Sequence, residues 1–110
     1  MLFRSAAVAT GEVTVASRDV ELEGVAIRKG SWLGLAEDKP VVSDRDFDDV
    51  TFAVADRLLG TSRGLLTLLV GDGAPPLDTV LERIEAAYPD VEIDVQQGGQ
   101  PHYALLLSAE

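Results

Sequence analysis

Hydrophobic and polar positions change period twice along this chain. In residues 12–42 the period is two: Val13 and Val15 alternate with Thr14 and Ala16, Val20 brackets Leu22 across one acid, and Val25 brackets Ile27. Ser31-Trp32-Leu33-Gly34-Leu35 and Val41-Val42 continue the series. Turn signals at Glu23-Gly24, Lys29-Gly30 and Glu37-Asp38-Lys39-Pro40 separate the pieces. This spacing predicts a meander of short strands.

From Ser43 the period becomes helical. Phe47, Val50, Thr51, Val54, Ala55 and Leu58 fall on one helix face, with Ser43 as the expected N-cap and Gly60 as the stop. The run 64–70 is continuously apolar, which predicts a strand buried on both faces. Pro75-Pro76 then opens a second helix with the stripe Leu77, Val80, Leu81, Ile84 and Tyr88, ended by Pro89. Residues 91–95 alternate cleanly, Gln97-Gly98-Gly99-Gln100 reads as a hairpin turn, and 101–108 return as a strand. The fold class is therefore α/β, in its α+β form: a mixed β-sheet with two helices, ordered as a β-meander and then β-α-β-α-β-β. Right-handed crossovers place strand 64–70 parallel to its neighbours and 101–108 antiparallel to 91–95. Strands 65–70 and 104–107 carry apolar residues toward both faces. If both helices lie on one face, the other needs cover from the meander or from something outside this chain. Residues 12–110 form one domain, with 1–11 a ragged N-terminal segment.

Composition narrows the chemistry. The 110 residues suit one domain. Nine basic and 19 acidic side chains give a net charge of −10, which argues against nucleic acid and anionic membranes. With 46% hydrophobic residues the chain is too apolar to be a disordered acidic tail. Without Cys there are no disulfides, no thiol catalysis and no Cys-based zinc site; a cytoplasmic location is consistent with this. The start, MLFRSAAVAT, lacks the apolar core of a signal peptide, and no apolar run is long enough to span a membrane.

Few residues offer a site. Asp44, Asp46, Asp48 and Asp49 resemble a metal cluster, but carboxylates are ordinary where a helix dipole begins. Gly71-Asp72-Gly73 sits between strand and helix, where α/β sheets bind ligands, yet it lacks a phosphate-loop pattern and a Lys. Gly98-Gly99-Gln100 spells the release-factor tripeptide in an environment without the basic residues RNA needs. His102 beside Tyr103 could serve acid–base chemistry, but Ser17, Ser31, Ser43, Ser62 and Ser108 lie in no nucleophile elbow. Arg18-Asp19 reads as a surface pair or a recognition element.

Four phrases, read in order, carry a resemblance. They are Val15-Ala16-Ser17-Arg18-Asp19, the stretch from Gly24 to Leu35, Tyr88-Pro89-Asp90-Val91-Glu92-Ile93-Asp94-Val95, and Gly98-Gly99-Gln100-Pro101-His102-Tyr103 running to Ser108-Ala109-Glu110. The series resembles the C-terminal part of dihydroxyacetone-kinase-like proteins with a DhaL-type ATP domain, as in the kinase subunit of bacterial fatty acid kinase. Departures are Ser17 where valine is usual, Ser31 where aspartate is usual, and His102 at a variable position. The resemblance implies a DegV-like subdomain, a C-terminal module ending at Glu110. ATP and Mg would belong to an N-terminal domain and a Cys/His metal-linked site to a middle one, leaving no cofactor, metal or catalytic residue here. It implies contact with a DegV-type fatty-acid-binding protein and with the parent's other domains, homo-oligomerisation staying open. Arg18, Asp19, Gln100, His102 and Tyr103 are the expected partner-binding residues, with Gly98, Gly99 and Pro101 shaping the turn. The alternative is a sensor for a lipid or phosphorylated metabolite, lined by Gly71, Asp72 and Gly73.

Overall fold

The computed structural model describes residues 8–60 and 64–110; Ser62 and residues 1–7 lie outside them. Eight strands and two helices follow in the order β1 (Ala9–Val15), β2 (Val20–Leu22), β3 (Val25–Ile27), β4 (Trp32–Ala36), β5 (Lys39–Asp44), α1 (Phe47–Leu59), β6 (Leu65–Val70), α2 (Asp78–Ala87), β7 (Glu92–Gln97) and β8 (Leu105–Ala109). Six strands form one mixed sheet ordered β5-β4-β1-β8-β6-β7, while β2 and β3 form a separate ribbon. The α+β class read from the sequence holds. Strand β1 begins at Ala9, so residues 9–11, read above as part of a ragged end, are strand.

Two tight turns build the meander. Glu23 and Gly24 both take positive φ (49° and 82°) between paired Leu22 and Val25. Glu37 and Asp38 do the same (53° and 66°) between paired Ala36 and Lys39. Positive φ at both central residues matches the twist of a two-residue hairpin.

The α1 N-cap is Asp46, not Ser43, because β5 continues through Asp44. The Asp46 carboxylate accepts from the Asp48 and Asp49 amides at 2.9 and 3.2 Å. Ser43 instead donates its hydroxyl proton to the Trp32 carbonyl at 3.0 Å across the β4–β5 pair. Helix α2 starts at Asp78 rather than at the prolines, with no side-chain cap. Asp49 pairs with Arg83 at 2.8 Å, and the Arg83 guanidinium lies 4.6 Å from the centre of the Phe52 ring, so both tie α1 to α2. The Tyr88 hydroxyl donates to Asp56 across the same seam. That hydrogen bond, then burial and the Asp56 charge, raises the Tyr88 phenol above its ordinary 10.0. Of the acidic residues at the start of α1, Asp46 is thus occupied as the cap and Asp49 as a cross-helix partner.

The expected hairpin between residues 91–95 and 101–108 does not form. Strand β8 is shorter, Leu105–Ala109, and inserts between β1 and β6, antiparallel to both. Among the described residues, strand β7 pairs only with β6, in parallel, at the sheet edge. The physical reason lies in the side chains. Leu105, Leu106 and Leu107 gain most from a central position with neighbours on both sides, while Glu92, Asp94, Gln96 and Gln97 tolerate an edge.

Both helices share one face. Val13, Leu66, Leu68, Leu105, Leu107 and Ala109 pack with Val50, Val54, Leu58, Val80 and Ile84 in a single core. Helix α1 lies so close that a Cβ on Gly34 would sit 2.5 Å from Val54 Cγ2, and one on Gly11 2.6 Å from Val54 Cγ1. Trp32 and Phe47 close the end of this layer edge-to-face at 4.9 Å.

Among the described residues, the other face carries no helix. Strand β6 is therefore not buried on both sides: Leu66 and Leu68 are buried, whereas Leu65, Thr67 and Leu69 are half-buried. Register lines up outward rows across the strands. One row is Leu35, Glu12, Leu106, Leu69 and Gln96; the next is Thr10, Ser108, Thr67 and Asp94. The meander strands β1, β4 and β5 extend this sheet instead of covering it. Burial, and then the charge of Asp38, raises the Glu12 carboxyl above its ordinary 4.5.

Two tests follow from this packing. Gly34→Ala should destabilise the domain by about 1–3 kcal/mol through overpacking, read from urea unfolding. Folding disfavours the charged form of Glu12 relative to the unfolded chain, so its contribution to stability is present below pH 4.5 and lost as pH rises through its raised value. Glu12→Gln should therefore unfold at a higher urea concentration than wild type at pH 7, with the difference closing at about pH 3.5, below the ordinary carboxyl value.

Candidate functional site

The end of the sheet where β6 and β7 finish gathers the chain's unusual residues. Strand β6 stops at Val70, whose carbonyl accepts the N–H groups of both Gly98 and Gly99 at 2.9 and 3.0 Å. The Gly71 amide donates to the Ala104 carbonyl at 2.8 Å, and the Asp72 amide donates to the Gln100 carbonyl at 2.9 Å. The loops 71–73 and 98–104 are thus laced backbone to backbone. No side chain fits between them: a Cβ on Gly71 would run into the Tyr103 carbonyl oxygen. The chain turns through Gly99 with φ 68°, a conformation that disfavours residues with a Cβ.

Gln100 braces this arrangement from inside. Its side-chain amide donates to the Leu69 carbonyl at 2.9 Å, and its Oε1 lies where a Cβ of Gly98 would be. On the other side the Thr14 hydroxyl donates to the His102 carbonyl at 2.9 Å, fastening the loop to β1. A shallow open cavity of about 320 Å³ results, bordered by Thr14, Val15, Trp32, Asp72, His102 and Ala104, among others. His102, Asp72 and Pro101 are exposed, and Tyr103 is 39% exposed.

The structure therefore brings Gly71, Asp72 and Gly73 together with Gly98, Gly99, Gln100, Pro101, His102 and Tyr103. It places Arg18 and Asp19 elsewhere. They lie in the link from β1 to the β2–β3 ribbon, where Asp19 accepts the Lys29 amide at 2.8 Å and joins the ribbon's two ends. Arg18 is exposed there. Neither borders the cavity, although Val15 at the end of β1 does. Thr14 and Trp32 are the residues that sequence reasoning missed. Their place here depends on β1 pairing with both β4 and β8, which no local pattern signals.

The chemistry this site offers is recognition of polar and aromatic groups. Asp72 supplies a carboxylate, His102 an exposed imidazole and Tyr103 an exposed ring. Among the described residues, the cavity border contains no Lys or Arg. Among the described residues no group of three or more His, Cys, Asp or Glu could hold a metal ion. No helix among them is long and apolar enough to cross a membrane.

The family model for the C-terminal domain of FakA-like fatty acid kinase proteins matches residues 1–110. This chain belongs to the FakA-like C-terminal family. Uncharacterized proteins of Staphylococcus haemolyticus, Staphylococcus epidermidis and Staphylococcus aureus are 38%, 36% and 37% identical to it over 105 residues, 94% of this chain. The chain spans only 19% of the length of each. For a FakA-like C-terminal domain, the laced ending Gly98 to Tyr103 is the best-defined structural feature of the rim. Gly71→Ala should disrupt it, costing about 1–3 kcal/mol in urea unfolding because the added methyl meets backbone, whereas His102→Ala on the exposed side should shift stability by less than about 0.5 kcal/mol.

Proposed function

We propose that this domain is a non-catalytic binding and assembly module of a longer fatty-acid-kinase-like protein. Its partners are a DegV-type fatty-acid-binding protein and the parent's kinase domains, in the cytoplasm. ATP and Mg belong to an N-terminal domain of that parent, so the phosphoryl chemistry lies outside this chain. The observation that carries the reading is the family match over residues 1–110, joined to a rim whose backbone is locked while His102 and Tyr103 face outward.

A rigid rim suits recognition because little ordering entropy is lost on binding. Within it the expected contact residues divide the work. Tyr103 and His102 present surface to the partner, with Arg18 and Asp19 adding contacts from the link to the ribbon. Gln100 acts through the shape of the loop, since its amide is spent on the Leu69 carbonyl.

The alternative, a sensor for a lipid or phosphorylated metabolite at Gly71, Asp72 and Gly73, has the open cavity in its favour. A phosphate there would face Asp72 with no neighbouring Lys or Arg among the described residues of the border.

Titration calorimetry with the DegV-type protein of the same organism tests the proposal. Tyr103→Ala and His102→Ala should each weaken binding about tenfold, roughly 1.4 kcal/mol, with unfolding unchanged. Absence of binding to the wild-type domain, with parent activity intact after its deletion, overturns it. A thermal shift with fatty acids or acyl phosphates, in place of protein binding, would favour the sensor.

A further inference from the structure

The helix-free sheet face is the largest feature that the rim does not use. Leu33, Leu35, Leu65, Leu69 and Leu106 all lie outside the hydrophobic core and its packed shell. Register places them outward on β4, β6 and β8, around a trough of about 270 Å³ floored by Thr10, Thr67, Leu69, Leu106 and Ser108. The small hydroxyl residues Thr10, Ser108 and Thr67 stand side by side on three neighbouring strands, which keeps the trough low enough for another surface to enter.

Among the described residues, the charge on this face has one sign. Glu12 stands at its centre, and Glu92 and Asp94 border it on β7. Among the described outward positions of the paired strands there is no Lys or Arg. An apolar centre with acidic groups matches a surface of apolar residues bordered by basic ones. A second copy of this chain is a poor match. It would bring another −10 of charge and set carboxylates against carboxylates.

The relatives supply the source of such a surface. They are about five times longer than the segment they share with this chain, which is 19% of their length. Strand β1 runs through the centre of the sheet, between β4 and β8. A domain joined upstream of Ala9 is therefore tethered beside the trough, at an effective concentration on the order of millimolar. Modest complementarity suffices at that concentration.

We infer that the helix-free face, centred on Leu106 and Glu12, is covered by an upstream domain of the same longer polypeptide, through an apolar patch bordered by Lys or Arg. This rests on reading the chain as the C-terminal domain of a longer protein. It differs from that reading in using the sheet face and not the Gln100–Tyr103 rim.

The absence of Cys in this chain provides a clean probe. Thr67→Cys points outward from the trough; Glu85→Cys on exposed α2 surface is the control. Alkylation by a small maleimide is timed in the 110-residue chain and in the full-length polypeptide, whose other cysteines are replaced. The Thr67→Cys thiol should react at least about tenfold more slowly in the full-length protein, and Glu85→Cys equally in both. Adding Glu12→Lys and Asp94→Lys should restore most of the rate. Equal Thr67→Cys rates in both forms overturn the inference. So does protection that rises with the concentration of the 110-residue chain, which would mean a second copy, or protection that needs an added partner protein. Binding of the DegV-type protein, measured on the same samples, separates the two readings. Binding with an unprotected trough overturns this inference alone, and a protected trough without binding overturns the partner proposal alone.

Discussion

The approach of α1 to β1 and β4 is the contact on which the rest of the architecture depends. Gly11 and Gly34 remove two side chains from the middle of the sheet, and Val50, Val54 and Leu58 of the helix occupy the space. With α1 seated there, α2 packs beside it through the Asp49–Arg83 pair, the Phe52 ring and the Asp56–Tyr88 hydrogen bond. Exposed ion pairs of this kind add little energy. The buried Val80 and Ile84 hold α2 in place by excluding water. Placing both helices on one side commits the sheet to two unlike faces, one dry and one open.

The insertion of β8 has the second widest consequences. As the central strand beside β1 and β6, it buries Leu105 and Leu107 on the helix side and turns Leu106 to the open side. To arrive there the chain must cross the end of β6 after leaving β7. The crossing is what draws Gly98, Gly99 and Gln100 over Val70 and Gly71, and the glycines are where the backbones touch. The rim is thus a by-product of topology that has been made rigid by hydrogen bonds. His102 and Tyr103 are held outward because the residues on either side are fastened inward.

These two features give the domain two surfaces of different character. The rim is polar, small and locked. The sheet face is broad, apolar and acidic, with Glu12 disfavoured as a charge by burial and then by Asp38. A domain whose core is complete on one side only leaves the other side of its sheet open to packing.

Local patterning was enough to mark the elements and the family. Alternation found the early strands and 91–95, the continuous apolar run found β6, the stripe from Phe47 to Leu58 found α1, and four phrases read in order, the last from Gly98 to Tyr103 and on to Glu110, carried the resemblance that the family match bears out. Local patterns also showed that 65–70 and 104–107 had more apolar surface than one face could use. What they left open was decided between segments distant in the chain. Ser43 looked like a cap because its backbone environment is invisible locally; the extension of β5 to Asp44 hands the cap to Asp46. Two glycines between strands looked like a hairpin because a hairpin is the shortest closure. Burial of Leu105 to Leu107 between β1 and β6 outweighs that economy, since a central strand gains neighbours on both sides. Periodicity records which side of a strand is apolar, but not which strand will lie beside it. Long-range packing chose the partners, and with them which leucines were buried against the helices and which were left on the open face.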